Sequence, residues 1–214
     1  MTSTALALAL VVGACDSETT TTEEDDATSS GGTMGAGGTG GMGTGGMLPF
    51  TVSSTAFAEG DTIPVDHECG PPAPVSGTGG NQTPPLTWTP GPPGTLSYAV
   101  VVRDIDATVP QFPDGIIHWV IYDIPATVAM LPQNVPPGYQ VTTPAGAKQA
   151  EVQSTGFFGY FGPCSPNSIN TYVFTVHAMN AAVLPGVTMA SSEAEIAAII
   201  ESTSIASASL SGES

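Results

Sequence analysis

Asp104, Asp106 and His118 are the residues of this chain whose types and spacing invite chemistry. They stand in RDIDATVPQFPDGIIHWV, residues 103–120, where Asp104 closes one apolar run and His118 sits inside the next, fourteen positions on. A carboxylate and an imidazole on neighbouring strands can hold an anion, with the carboxylate orienting the ring while its other nitrogen donates to the ligand. They can join Asp106 and Asp123 as ligands of a metal. They can also activate a nucleophile, for which Ser165 and Ser168 are the candidates. A fourth reading is structural: a satisfied polar pair at a strand end, because a buried charge without a partner is costly. The metal reading lacks H-x-x-x-H spacing and clustered cysteines, and the hydrolase reading lacks a G-x-S-x-G elbow. Neither a metal nor a cofactor is expected. Arg103 alternates to the strand face opposite Asp104, which points it toward a salt bridge with an acid elsewhere. His67, in the loop VDHECG, is expected to approach the site or to face solvent. His177, mid-strand in FTVHAM, is expected to be a satisfied core or edge histidine.

The charge balance narrows the partners. Of 214 residues, 19 are acidic and two, Arg103 and Lys148, are basic, a net charge of −17. Such a chain has almost nothing with which to neutralise phosphates, which excludes nucleic acid and electrostatic attachment to anionic lipid. The start, TALALALVVGACDS, carries an apolar run over residues 4–14, too short to span a bilayer as a helix. An apolar run closed by small residues has the form of a secretory signal. Val12-Gly13-Ala14 before Cys15 is similar to the lipobox of bacterial lipoproteins, in which that cysteine is lipidated. An ordinary signal peptide that contains Cys15 is the alternative, and the lack of Lys or Arg before the run departs from the pattern. Residues 1–15 are thus expected to direct export to a bacterial envelope, with lipid on Cys15 as the membrane attachment.

Residues 16–48 hold six acids between Asp16 and Asp26, then a Gly-rich run. Without a periodic apolar pattern this segment cannot offset the entropy of folding. It is expected to be a disordered tether with an r.m.s. reach on the order of 30 Å. The folded part is then 49–214. With Cys15 assigned to lipid, Cys69 and Cys164 remain as an even pair in an oxidising compartment. They are either free thiols or a bridge across 95 residues, worth about 4 to 5 kcal/mol in the chain-entropy model.

The elements that must position the site are mostly strands. YAVVVRD (98–104), IIHWVIYDI (116–124) and TYVFTVHAM (171–179) have strand composition. The first two are almost unbroken apolar runs, which predicts central strands covered on both faces. Twenty prolines confine much of the rest to turns, edges and loops. One helix is predicted over SSEAEIAAIIES (191–202), where Ser192 and Glu195 can form a capping box and Ile196, Ile199 and Ile200 make an apolar stripe. The fold class is mainly β.

Five segments in order carry a resemblance: FTVSSTAFAEGDTIP (50–64), NQTPPLTW (81–88), PGTLSYAVVVRDIDA (93–107), IHWVIYDIP (117–125) and YFGPCSPNSINTYVF (160–174). The series resembles the phosphatidylethanolamine-binding protein (PEBP) family, in its bacterial Raf-kinase-inhibitor-like branch, over about residues 48–212. The resemblance implies a β-sandwich of a large central sheet and a smaller one, with one or two short helices near the C-terminus. ASASLSG (206–212) matches the family's last short strand. It also implies a shallow pocket for small anions such as phosphate, carboxylate or phospho-headgroups. Carried over by motif, Asp104 and His118 form the base of that pocket. Gly162 and Pro163 form its rim, and Tyr172 matches the tyrosine of the family's His-Arg-Tyr. Asp106 and Trp119 fall one layer out. Asn170 and Thr171 stand where the family has His-Arg, and both prolines of Asp-Pro-Asp-Ala-Pro are missing. An amide can donate to an anion but cannot charge. The expected function is a non-catalytic ligand-binding or regulatory module for a small anion, with a kinase or protease among the possible partner classes. A surface domain with a vestigial pocket is the alternative, and a hydrolase the third.

Overall fold

The computed structural model describes residues 48–73, 77–110, 112–165 and 168–214. The segments expected to be a signal (1–15, with Cys15) and a tether (16–48) lie outside the described residues, apart from Leu48. Five antiparallel strands form the large sheet in the order β6-β4-β3-β7-β8. These are β3 (Ser97–Asp104), β4 (Ile116–Pro125), β6 (Lys148–Gln149), β7 (Thr171–Met179) and β8 (Ser204–Glu213). A three-stranded sheet, β1-β2-β5, packs over one face, built from β1 (Val52–Ser53), β2 (Leu86–Trp88) and β5 (Met130–Leu131). The helix α1 (Glu193–Thr203) covers the other face.

This three-layer order accounts for the apolar runs. Val100, Val102, Trp119, Ile121 and Phe174 meet Leu86, Trp88 and Leu131 between the sheets. Ala99, Val101, Ile117 and Val120 meet Ile196, Ala197 and Ile200 beneath the helix. Each of the larger of these side chains contributes roughly 1.5–3 kcal/mol of burial. β3 and β4 are therefore apolar at almost every position, as expected for strands covered on both faces. β7 alternates at its start, where one face is open, and is continuously buried from Val176 to Met179. α1 begins with the expected capping box: Glu195 N–H donates to Ser192 Oγ, and the Glu195 carboxylate accepts from Ser192 N–H.

Two details of the large sheet position the site. Val102 pairs with Trp119 but Arg103 pairs with Ile117, so His118 is an extra residue in β4. Such a bulge lets two successive side chains share a face and re-aims one of them. Trp119 accordingly enters the inter-sheet core, and His118 also turns toward Tyr172 on that side. At the turn before β4, Gly115 has φ +98° and lies against the Asp104 carbonyl, where a Cβ would collide; a glycine is required there. Both basic side chains are paired on other surfaces: Arg103 Nη2 with Glu201 Oε1 of α1 at 2.8 Å, and Lys148 Nζ with Asp123 Oδ2 at 2.8 Å. Arg103 thus makes the salt bridge that strand alternation predicts.

Candidate functional site

At the Asp104 end of β3 the large sheet opens into a cavity of about 310 Å³. Asp104, His118, Asn170 and Tyr172 supply its fixed polar wall, with Ser165, Ser168 and Gln153 nearer the mouth. Asp104 is 3% exposed. Its Oδ1 accepts from Asp106 N and Ala107 N, both at 3.0 Å, and its Oδ2 accepts from Asn170 Nδ2 at 2.8 Å. Three donors hold this buried carboxylate in place, as a buried charge requires. Asn170 is itself oriented, because its Oδ1 accepts from Ser168 Oγ at 2.7 Å.

His118, 4% exposed, is held by a different set of contacts. Its Nδ1 lies 2.9 Å from the Phe161 carbonyl, and Phe161 N–H donates back to the His118 carbonyl at 2.9 Å. A carbonyl can only accept, so Nδ1 carries the proton and Nε2 is the atom left for the cavity. The imidazole stacks on the Phe161 ring, with centroids 5.0 Å apart and planes 7° apart, and meets Tyr172 edge-on at 5.1 Å. Burial pushes the His118 pKa below the usual histidine value, against the opposing pull of the Phe161 carbonyl, the Asp104 charge and the Gly162 backbone. The Tyr172 hydroxyl is pushed up, chiefly by burial, and stays protonated. It accepts from Cys164 N–H at 3.2 Å and shares a hydrogen bond of 2.8 Å with Ser165 Oγ.

Several residues stand elsewhere than the sequence suggests. Asp104 does not hydrogen-bond His118; its oxygens are taken by three N–H groups, and the Phe161 carbonyl orients the ring instead. Gly162 and Pro163 do not line the cavity. Gly162 donates to Asn81 Oδ1 at 2.9 Å and lies against the His67 backbone, and Pro163 O accepts from Cys69 N at 2.8 Å. Phe161, Cys164 and Ser165 take the wall positions beside them. Trp119, next in the chain to His118, is not among the residues that line the cavity: it is core, donating to Gln149 Oε1 at 2.8 Å and packing edge-on against Tyr160. Asp106 is exposed and braces the wall from outside, its carboxylate accepting from Thr171 N–H at 2.7 Å.

The remaining histidines also differ from expectation. His67 neither reaches the cavity nor faces solvent; it is buried, with Nδ1 donating to the Gln82 carbonyl at 2.8 Å. His177 is buried with neither ring nitrogen bonded. Ser165 and Ser168 are bonded to Tyr172 and Asn170, not to His118. Among the described residues, no three His, Cys, Asp or Glu side chains converge on a metal position. Cys69 and Cys164 form a disulfide, Cα–Cα 5.3 Å, beside the cavity wall. Beyond it lies a second cavity of about 330 Å³, which shares Cys164 and Ser165 with the first. Phe161, with Tyr160, Trp119 and Tyr172 one of the aromatics whose type suits a pocket wall, does most to fix His118, through its ring and through a backbone carbonyl that carries no residue-type signal.

A β-sandwich with a helix on its large sheet and a polar cavity at the sheet end defines the class, and comparison with known proteins supplies the family. The family model for phosphatidylethanolamine-binding protein matches residues 53–214. The chain is 33% identical to YbcL of Escherichia coli K12 over 166 residues, covering 75% of this chain and 85% of that protein. LppC of Mycobacterium tuberculosis H37Rv, a candidate lipoprotein by its name, is 33% identical over 65% of this chain and 61% of its own length. The crystal structure of YbcL, described as a new member of the mammalian PEBP family, superposes with a TM-score of 0.63 at 31% identity, over 77% of this chain and 96% of that one. This chain belongs to the phosphatidylethanolamine-binding protein family.

Proposed function

We propose that the domain is a non-catalytic ligand-binding module of the bacterial envelope, whose sheet-end cavity takes a small oxyanion. The observation that carries this reading is the oriented wall: Asp104 fixed by three donors, His118 fixed by a backbone carbonyl, and Asn170 and Tyr172 each fixed by a serine. Side chains so constrained lose little freedom when a ligand arrives, which favours binding. A volume of about 310 Å³ suits a carboxylate or a phospho-headgroup. Binding without turnover is favoured because, among the described residues, Ser165 and Ser168 are bonded to Tyr172 and Asn170 and no serine hydroxyl is bonded to His118, so they do not form the nucleophile–base pair of a hydrolase.

Residues 1–15 would act as the export signal with lipid on Cys15, and 16–48 as the tether that lets the domain 49–214 stand off the membrane. The signal-like start and the similarity to LppC support that placement. Regulation of a partner such as a kinase or protease would use this end of the sheet, where Ile105, next to Asp104 in the chain, and Ile169, next to Asn170, are exposed. The test is an NMR titration of the protein with phosphate, phosphoethanolamine and acetate. Saturable shifts at His118 and Asn170, lost in His118→Ala, are expected. A silent titration in the native protein, with binding gained by Asn170→His, would instead establish a retired pocket on a surface domain.

A further inference from the structure

The hydrogen-bond directions in the cavity say what form of ligand it can accept. Each fixed polar atom can be assigned as donor or acceptor. Asp104 is an acceptor at both oxygens. Ser168 has spent its proton on Asn170 Oδ1. His118 has spent its Nδ1 proton on the Phe161 carbonyl, so the neutral ring turns a bare Nε2 lone pair to the cavity. Among the described residues the free side-chain donors are few: the second N–H of Asn170, one hydroxyl of the Ser165–Tyr172 pair, and the Gln153 amide. None carries charge. The chain's two permanent cations are committed elsewhere, to Glu201 and Asp123.

An oxyanion entering as it stands would meet a carboxylate and a lone pair, with these neutral side-chain donors among the described residues to offset them. One added proton reverses this at a single atom. On Nε2 it turns an acceptor into a charged donor; on the ligand it gives an O–H that donates to Nε2. The two descriptions are one bound state that differs only in where the shared proton sits. We infer that the cavity binds small oxyacids together with one proton held between the ligand and His118 Nε2, so that carboxylates and phosphate monoesters enter as anion plus proton. This rests on the reading of the cavity as an oxyanion site and adds the stoichiometry of its proton.

The surroundings of His118 fit that role. The groups facing it are Asp104 from β3, Tyr172 from β7, and the Phe161 ring and backbone from the loop before β7, with Asp106 one layer out. Asp104 is the single charge among them at the wall, and it attracts a proton to the ring. Burial acts the other way and keeps the ring neutral in the empty protein. The empty site therefore waits without the proton and takes it up with the ligand. Asn170 sharpens the effect, because an amide at that position supplies no second titratable donor.

Acetate is the probe, since it is fully ionised throughout the range tested. Titration calorimetry of the full chain at pH 6, 7 and 8, in two buffers of different protonation enthalpy, reads affinity and proton count together. The expected result is uptake of close to one proton per acetate above the His118 pKa, and affinity falling about tenfold per pH unit, about a hundredfold from pH 6 to pH 8. His118→Gln, which offers an amide donor that does not titrate, is expected to bind with a flat pH profile, an outcome that a purely structural role for His118 would not produce. Saturable binding by the native protein with no proton uptake and no pH dependence overturns this inference and leaves the oxyanion reading standing. No saturable acetate binding at any of the three pH values overturns both.

Discussion

The same sheet buries titratable groups on both faces and treats them in opposite ways. On the inter-sheet face, Asp104, His118 and Tyr172 are each held by named donors or acceptors. On the helix-covered face, His177 is buried beside Ala99 and Ser207 with neither nitrogen bonded, and Glu193, at the first turn of α1, is buried with one carboxylate oxygen unpartnered. Burial is similar: 3% and 4% exposure for Asp104 and His118, 6% and 4% for His177 and Glu193. Depth alone does not make a site. What separates the two clusters is whether each side chain is firmly held by a hydrogen bond, as His118 is through Nδ1 and His177 is not, and whether an open volume lies in front of it.

The largest effect that would break the contrast is at Asp104. Asp104→Ala strands two backbone N–H groups and the Asn170 amide, part-buried donors that cost about 1 kcal/mol each when unpaired. Urea unfolding is expected to show a loss of about 3 kcal/mol, and NMR a loss of order in the turn after Asp104. A loss below about 1 kcal/mol would mean that water replaces the carboxylate, and that the tethering is weaker than the geometry implies.

How much of this was legible beforehand follows the same division. β3, β4, β7 and α1 announce themselves through apolar runs and a capping box, because burial on both faces and helix initiation leave local marks. β1, β5 and β6, of two residues each, are set by pairing with distant strands and carry no local pattern. Asp104, His118 and Tyr172 were found through motif resemblance, yet the bulge that turns His118 toward the cavity depends on the register of two strands. The Phe161 carbonyl was invisible for a plainer reason: a backbone acceptor has no residue type. The resemblance makes Gly162 and Pro163 the rim, by their match to the family's Gly-Pro loop. The structure uses Gly162 for close packing on the His67 backbone.

A smaller effect tests the unpartnered side through pH. Burial raises the Glu193 pKa from 4.5 to about 8, so the folded state holds a proton that the unfolded chain has released. Stability from this group is present below about pH 4.5 and is lost as pH rises toward 8. His177 is opposite: burial and then the Arg103 charge lower its pKa to about 4, so its stability is present above 6.5 and lost as pH falls. Between 4.5 and 6.5 the two nearly cancel, while above 6.5 Glu193 acts alone. Stability is expected to fall by about 2 kcal/mol from pH 6.5 to 8. Glu193→Gln is expected to abolish that fall in denaturant melts taken across the range.

The smallest effect bears most directly on the difference between the clusters. If His177 is an unpartnered histidine with no task, an apolar replacement of similar size should stabilise the fold. His177→Leu removes two buried nitrogens without bonds, each desolvated in the folded state for no return, and keeps volume against Ala99 and the helix layer. Packing differences between an imidazole and an isobutyl group offset part of the gain. The expected net is about 1 kcal/mol of added stability at pH 7, with a larger gain near pH 5, where the native histidine costs more. The matching change at the site, His118→Leu, should run the other way, because it strands the Phe161 carbonyl and removes the ring that stacks on it. Opposite signs for two buried histidines on one sheet, read from paired urea melts, would establish that His118 is kept for what stands in front of it. Equal losses would mean that His177 has a partner in solution, and that the two faces differ less than their hydrogen bonds indicate.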